Sequence, residues 1–253
     1  MRAHVSLAGW PGLRVAQAMR SAALGASDPL FGPLSTAEVQ LVPQSLGQIT
    51  PDDAAQLRLD WPGTRFRVHA NVRVLSQHRC ADLSNLTLHL DWFEQAARVS
   101  KCLGAAAYTA HAGRNSNATL AEVLNNARRA ADMFGCPVGV EGMYPSSREQ
   151  WLVSTWREYQ LLFESRVPYA LDLSHLHILA TQTGVCDAQL VREMLAGPHC
   201  LEVHVSHNDG VNDRHELCGE PAPWWFALLR EINPDAVVFS EGLQRRPTLK
   251  GKP

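Results

Sequence analysis

Nine side chains able to bind a metal or move a proton stand at, or just beyond, the ends of apolar, strand-like runs in this 253-residue chain. His69 closes FRVHAN, His111 closes YTAHAG and Glu141 closes VGVEG. Asp172 ends the run in ALDLSH, with His175 one helical turn later; His204 lies in LEVHVSHNDG; Asp213 and His215 follow in NDRHELCGE; Glu241 ends VVFSEG. Any one of these, alone, reads equally well as a hydrogen-bonded group at the rim of a sheet. Five histidines and four carboxylates converging on one axis are another matter, because buried carboxylates without compensation are strongly unfavourable and divalent cations supply that compensation. Histidine with Asp/Glu and no Cys suits Zn(II), Mn(II) or Fe(II). One ion needs three or four protein ligands, so this set implies two or three divalent ions sharing carboxylates. Such clusters acidify water and stabilise the charge of a phosphoryl transition state, with neighbouring ions about 3.5–4 Å apart.

The elements that must position these groups alternate along the chain. Strand-like runs are expected at 2–6, 39–43, 66–71, 105–111, 137–141, 167–172, 200–205 and 236–241, separated by helix-patterned stretches such as 87–103, 118–134 and 147–164. In 87–103, Leu88, Phe93, Ala96, Ala97 and Val99 fall largely opposite Asp91, Glu94, Arg98 and Lys101. Eight strand/helix cycles in a chain of this length predict an α/β fold, a (β/α)8 TIM barrel in a single domain over 1–245, with a basic tail at 246–253. A doubly wound open sheet is the alternative, but neither G-x-G-x-x-G nor a Walker A motif is present. In a barrel the active site lies at the C-terminal ends of the strands, which is where the nine residues fall.

Composition agrees with one soluble domain: 45% hydrophobic residues, 23 Lys+Arg against 25 Asp+Glu, and a net charge of −2 that gives no reason to expect a polyanion. Cys80, Cys102, Cys136, Cys186, Cys200 and Cys218 show no C-x-x-C spacing and read as reduced, mostly buried thiols. With neither a signal peptide nor a membrane-length apolar run, the expected location is cytoplasmic, with no membrane partner.

The motifs, taken in order, resemble endonuclease IV and the wider xylose-isomerase-like superfamily of TIM barrels, which includes the second family of AP endonucleases. AHVSLAGWPGLRVAQA is similar to that family's N-terminal HVSxAGG segment, HAGR to HPG, VEGM to ENT, DLSH to DTCH, HVSHND to HLND, DRHELCGE to DRHxxxGEG and SEG to ET. The resemblance implies a trinuclear zinc centre: His69, His111 and Glu141 on one ion; Glu141, Asp172, His204 and Glu241 on a second; His175, Asp213 and His215 on a third. Glu141, Asp172, His204 and Glu241 would be its catalytic core. It further implies phosphoester hydrolysis, in that family of DNA 5′ to an abasic site. The departures lie on the DNA side. Val72 replaces a Tyr used in recognising the abasic nucleotide, GMYPSS replaces a glycine-rich extension, and PQSLGQ is all that remains of a polar loop. Sugar isomerases and epimerases of the superfamily need only Glu141, Asp172, His204 and Glu241 around one Mn-type ion, moving a proton beside a carbonyl of a small polyhydroxy substrate. Multinuclear iron oxygenases acting on peptides share the larger ligand set, and a non-catalytic barrel is the remaining alternative.

Other residues have less specific readings. His207 and Asp209 are ligand orienters or loop caps; His4 is a barrel-mouth or hydrogen-bonded residue; His177, His78, His89 and His199 are packing or surface positions. Arg114 and Arg214 either grip a phosphate or pair with a carboxylate, and Trp224, Trp225 and Phe226, expected to begin the last helix, are core residues before they are a stacking platform.

Overall fold

A computed structural model describes residues 2–147 and 149–244. Eight strands form a closed, wholly parallel barrel: β1 (Ala3–Ser6), β2 (Ser35–Leu41), β3 (Arg65–His69), β4 (Tyr108–His111), β5 (Val138–Glu141), β6 (Tyr169–Asp172), β7 (Cys200–Val205) and β8 (Val237–Ser240). Sequential neighbours pair, and β8 closes on β1. This is the expected (β/α)8 barrel. The tail expected at 246–253 lies outside the described residues.

Helices α1 (Val15–Ala23), α2 (Pro51–Asp60), α3 (Leu90–Leu103), α4 (Leu120–Phe134), α5 (Trp156–Glu164), α6 (Leu173–Thr183) and α7 (Ala188–Ala196) cover the outside. Their limits follow local chemistry. Thr50 with Asp53 and Thr119 with Glu122 form reciprocal capping boxes at the starts of α2 and α4. Gly104 and Gly135, both left-handed, stop α3 and α4. The apolar faces of the helices, Trp92, Phe93, Ala96 and Val99 among them, pack onto the outward-facing strand residues as one continuous core.

Several boundaries depart from the periodicity. The helix expected from 147 begins only at Trp156, because Thr155 caps it there and Leu152 and Val153 are spent burying the irregular segment that follows β5. The last helix is a 3-10 segment, Phe226–Glu231, with Trp225 buried as core and Phe226 edge-to-face on Phe31. Of the six cysteines, all free, only Cys200 and Cys218 are buried while Cys80 and Cys186 are exposed, so the expectation of mostly buried thiols is corrected: the exposed pair sits in loops. Among the described residues no helix is long and apolar enough to cross a membrane.

Strand register brings the strand-end residues together. It sets His111 beside Glu141 and Asp172 beside His204, joining carboxylates to imidazoles across adjacent strands. Alternation along each strand then places Glu38 with Gln40, Arg67 with His69, and Glu202 with His204 on common faces.

Gly142, next after Glu141, has no room for a side chain: an added Cβ would collide with the ring of Tyr159, which is fully buried and whose hydroxyl donates to the Met143 carbonyl at 2.9 Å. Gly142→Ala is therefore expected to cost about 1–3 kcal/mol through overpacking. The measurement is the urea midpoint, and an unchanged midpoint would show that this close approach is not constrained.

Candidate metal centre

All nine expected residues meet at the C-terminal mouth of the barrel. The Glu141 carboxylate is at the middle: Oε1 lies 3.2 Å from His204 Nδ1, and Oε2 lies 2.8 Å from His69 Nε2 and 3.6 Å from His111 Nε2. On the other side, Asp213 Oδ2 stands between His215 Nε2 at 2.9 Å and His175 Nε2 at 3.5 Å. Glu241 links the two halves, with Oε1 3.8 Å from His204 Nδ1 and Oε2 3.6 Å from His215 Nδ1. Three triads of ligand atoms lie within 4.8 Å of one another: His69/Glu141/His204, Glu141/Asp172/His175 and Asp172/His204/Glu241. Glu141, Asp172 and His204 each belong to two triads, the sharing that a multinuclear centre requires.

Most ligands are held from behind. Asp172 caps α6, its Oδ1 accepting from Ser174 N (2.7 Å), Ser174 Oγ (2.7 Å) and His175 N (3.1 Å), which leaves Oδ2 toward the cluster. His175 Nδ1 is anchored 2.9 Å from the Gly142 carbonyl, so Nε2 points inward. His111 Nδ1 lies 3.3 Å from Asp82 Oδ1, and Asn71, in a left-handed conformation (φ 61°), binds the same oxygen and the Ala81 amide. His215 is also left-handed (φ 50°), a conformation uncommon outside glycine and found where function constrains the backbone. Glu141 Oε2 is buried and accepts no hydrogen bond, although His69 Nε2 is 2.8 Å away. Two lone-pair donors so close, yet not aimed as donor and acceptor, fit a shared cation; the residues match the donor set of a divalent metal.

The electrostatics agree. Burial pulls the histidines down, yet the surrounding carboxylates win: Asp172 and Asp213 push His175 up to about 10, and Asp213 with Glu241 pushes His215 up to about 9. His111 and His204 are raised as well, by Asp82 with Glu141 and by Glu141 with Glu241. For Glu141, burial pushes upward, but His69 and His204 hold it well below the carboxylate range; for Glu241 burial prevails and the carboxyl is raised. Without metal, protons on His111, His175, His204 and His215 balance the carboxylates, and a bound metal would have to displace them.

The cleft above holds about 140 Å3 and is walled by Val42, Pro43, Gln44, Met143 and Tyr144. Tyr144 lies against His175, ring centroids 4.8 Å apart, and burial pushes its phenol up to about 12. Neither it nor Gln44 was marked by the strand-end pattern, since both sit in loops without periodic signal. Also unforeseen were Asp82, Gln40, Arg67 and Glu202; only the two-residue spacing of Glu202 and His204 within one strand hinted at a common inward face. Arg114 pairs with Glu149 at 2.8 Å and lies over Trp151, while Arg214 pairs with Asp209 at 2.7 Å, so neither faces the cleft unengaged. His207 joins Glu216 through backbone hydrogen bonds, a loop role. His4 accepts from the Glu38 amide at the opposite end of the barrel. Val72 is buried, 2% exposed, and offers no face to a nucleotide.

No protein-family model and no curated protein sequence matches the chain. Solved structures do resemble it. A D-tagatose 3-epimerase-like protein superposes with TM-score 0.66 at 18% identity, over 97% of this chain and 92% of that one. An AP endonuclease, family 2, from Brucella melitensis gives 0.62 at 17%, over 96% and 93%. A Thermus thermophilus protein soaked with ZnCl2 gives 0.55 at 20%, over 97% and 92%. These likenesses establish a shared (β/α)8 barrel fold, as the alternation of strands and helices led one to expect.

The charge balance sets a pH dependence for the metal-free protein. Histidines raised above 6.5 contribute stability that is complete below that pH and lost as pH rises through about 9 for His215 and about 10 for His175. The depressed Glu141 contributes stability present above its ordinary 4.5 and lost on acidification. Thermal melts in chelator should therefore peak between the carboxylate range and pH 6.5 and decline toward pH 10. A flat alkaline limb would contradict this balance.

Proposed function

We propose that the protein is a multinuclear metal-dependent phosphoester hydrolase. The observation that carries the reading is Glu141, whose two oxygens face histidines from three different strands while a second group, built on Asp213, adjoins it through Asp172 and His175. A single ion does not need that many donors. His69, His111 and Glu141 would hold one ion, Glu141, Asp172, His204 and Glu241 a second, and His175, Asp213 and His215 a third. Zinc suits this set best; manganese and iron are compatible. When bound, the ions would acidify water and offset charge on a phosphoryl group.

The protein's own residues account for the rest. Val42, Pro43 and Met143 narrow the mouth and limit water. Tyr144, kept protonated, offers a hydroxyl at the rim to a substrate oxygen. Asp172 keeps one oxygen bound to the start of α6 and so cannot swing from the centre. None of the described residues lining the cleft is Lys or Arg, and Val72 is buried, which favours a small phosphoester over duplex DNA.

A second reading is supported by the Asp172/His204/Glu241 triad, which with Glu141 suffices for one ion, and by the name of the D-tagatose 3-epimerase-like neighbour. On it, Glu141 and Glu241 move a proton beside the carbonyl of a small sugar.

Elemental analysis of metal-loaded protein, with phosphoester and ketose assays, separates the two. About three ions per chain and phosphoester hydrolysis are expected; about one ion with epimerisation would replace the first reading by the second, and bound iron would point to oxygen chemistry. Glu141→Gln should abolish activity while the metal-free melting temperature shows a retained fold, and unaltered turnover would refute a bridging role.

A further inference from the structure

We infer that Glu202 is a positioning residue for the centre, holding His204 so that Nδ1 rather than Nε2 is free to bind metal. The inference rests on the metal-centre reading and concerns a carboxylate outside the nine ligands.

Glu202 is fully buried, two residues before His204 on the inward face of β7, beneath the centre. Its Oε2 lies 3.1 Å from His204 Nε2, and its Oε1 lies 3.3 Å from Arg67 Nη1. Arg67, itself 8% exposed, also donates to the Leu201 carbonyl at 2.9 Å and stands 3.7 Å from Glu38. A carboxylate and a guanidinium are costly to bury unless they meet each other and further partners; here Arg67 Nη1 meets Glu202 and a main-chain carbonyl, while Arg67 Nε and Glu38 Oε2 form no hydrogen bond. Such a pair contributes no apolar packing that a leucine would not supply. Its distinctive effect falls on the ring it touches.

An imidazole bound by a carboxylate at one nitrogen carries its proton there and presents a lone pair at the other. With Glu202 holding a proton at Nε2, the nitrogen left to give up its proton and bind metal is Nδ1, the atom 3.2 Å from Glu141 Oε1 and 3.8 Å from Glu241 Oε1. Gln40 sharpens the choice. Its Nε2 lies 3.1 Å from Glu202 Oε2 and 2.8 Å from His204 Nε2. An amide N–H donated to His204 Nε2 demands the opposite tautomer, with the proton on Nδ1 bonded to Glu141. Without metal the ring can hold a proton at each nitrogen, facing Glu202 and Glu141; when Nδ1 gives up its proton to a metal, Glu202 keeps the one on Nε2, whereas an Nε2 that accepts from Gln40 would leave Nδ1 protonated.

The test compares wild type with Glu202→Gln, which keeps the shape and removes the charge. Co2+ is titrated against a competing chelator and followed by visible absorption, and the histidine tautomers of the zinc-loaded proteins are read by 15N NMR. Wild type should show His204 protonated at Nε2, and Glu202→Gln should bind one Co2+ about 10–100-fold more weakly with an altered absorption band. If Arg67 without its partner prevents folding, Glu202→Gln/Arg67→Met removes both charges and carries the same expectation. A folded variant that melts lower yet binds Co2+ with unchanged affinity and spectrum overturns the inference alone. Failure of wild type to bind any Co2+ overturns the metal centre with it.

Discussion

Charge compensation at the mouth of the barrel is the constraint on which the rest depends. Glu141, Asp172 and Glu241 are each 5% exposed or less, within reach of one another, where solvent cannot screen them. Imidazoles supply the answer in the metal-free state by taking up protons, and the proposed divalent ions would supply it when bound. These contacts form without metal, so the side chains that would hold the proposed ions are already gathered. This preorganisation explains why so many groups that bind nothing themselves are committed to the ligands: the Ser174 hydroxyl and amide on Asp172, the Gly142 carbonyl on His175, and Asp82 with Asn71 on His111.

The interior below the centre is not the apolar filling common in such barrels. Glu38, Arg67, Gln40 and Glu202 form a buried polar layer between the ligand ring and the N-terminal end. Its members pair across β2, β3 and β7, although Glu38 Oε2, Gln40 Oε1 and Arg67 Nε form no hydrogen bond. Strands and ligands are thereby tied together: a shift of β7 against β3 would break the Arg67–Glu202 pair and turn His204 at the same time. Gly142 plays a comparable part on β5, since the close approach of Tyr159 fixes the segment carrying Glu141 and the carbonyl that holds His175.

The cleft walls beyond the nine ligands, in contrast, are neutral. Pro43 and Gln44 follow β2, and Met143 and Tyr144 follow β5, so the residues that would touch a substrate are few and mostly uncharged. On the proposed function, recognition would fall chiefly to the centre itself, which would suit a small, oxygen-rich substrate whose charge is met by metal rather than by Arg or Lys. Arg114 and Arg214 are already engaged with Glu149 and Asp209 outside this cleft.

By itself the sequence determined the alternation of strands and helices and, through polar residues closing apolar runs, the nine side chains of the mouth. Those signals are local: a strand needs only its own residues to show apolar periodicity, and a His or Glu at its end is visible without knowing its neighbours. Which groups would touch was decided by tertiary structure, because closure of the barrel sets the register that places His111 beside Glu141 and Asp172 beside His204. The same holds for Glu202 and Arg67, 135 positions apart, whose pairing needs strands distant in sequence to face one another across the barrel. The segment between β5 and α5 was likewise unreadable as pattern, since its course follows from burying Leu152 and Val153 and from the cap at Thr155, not from any period of its own.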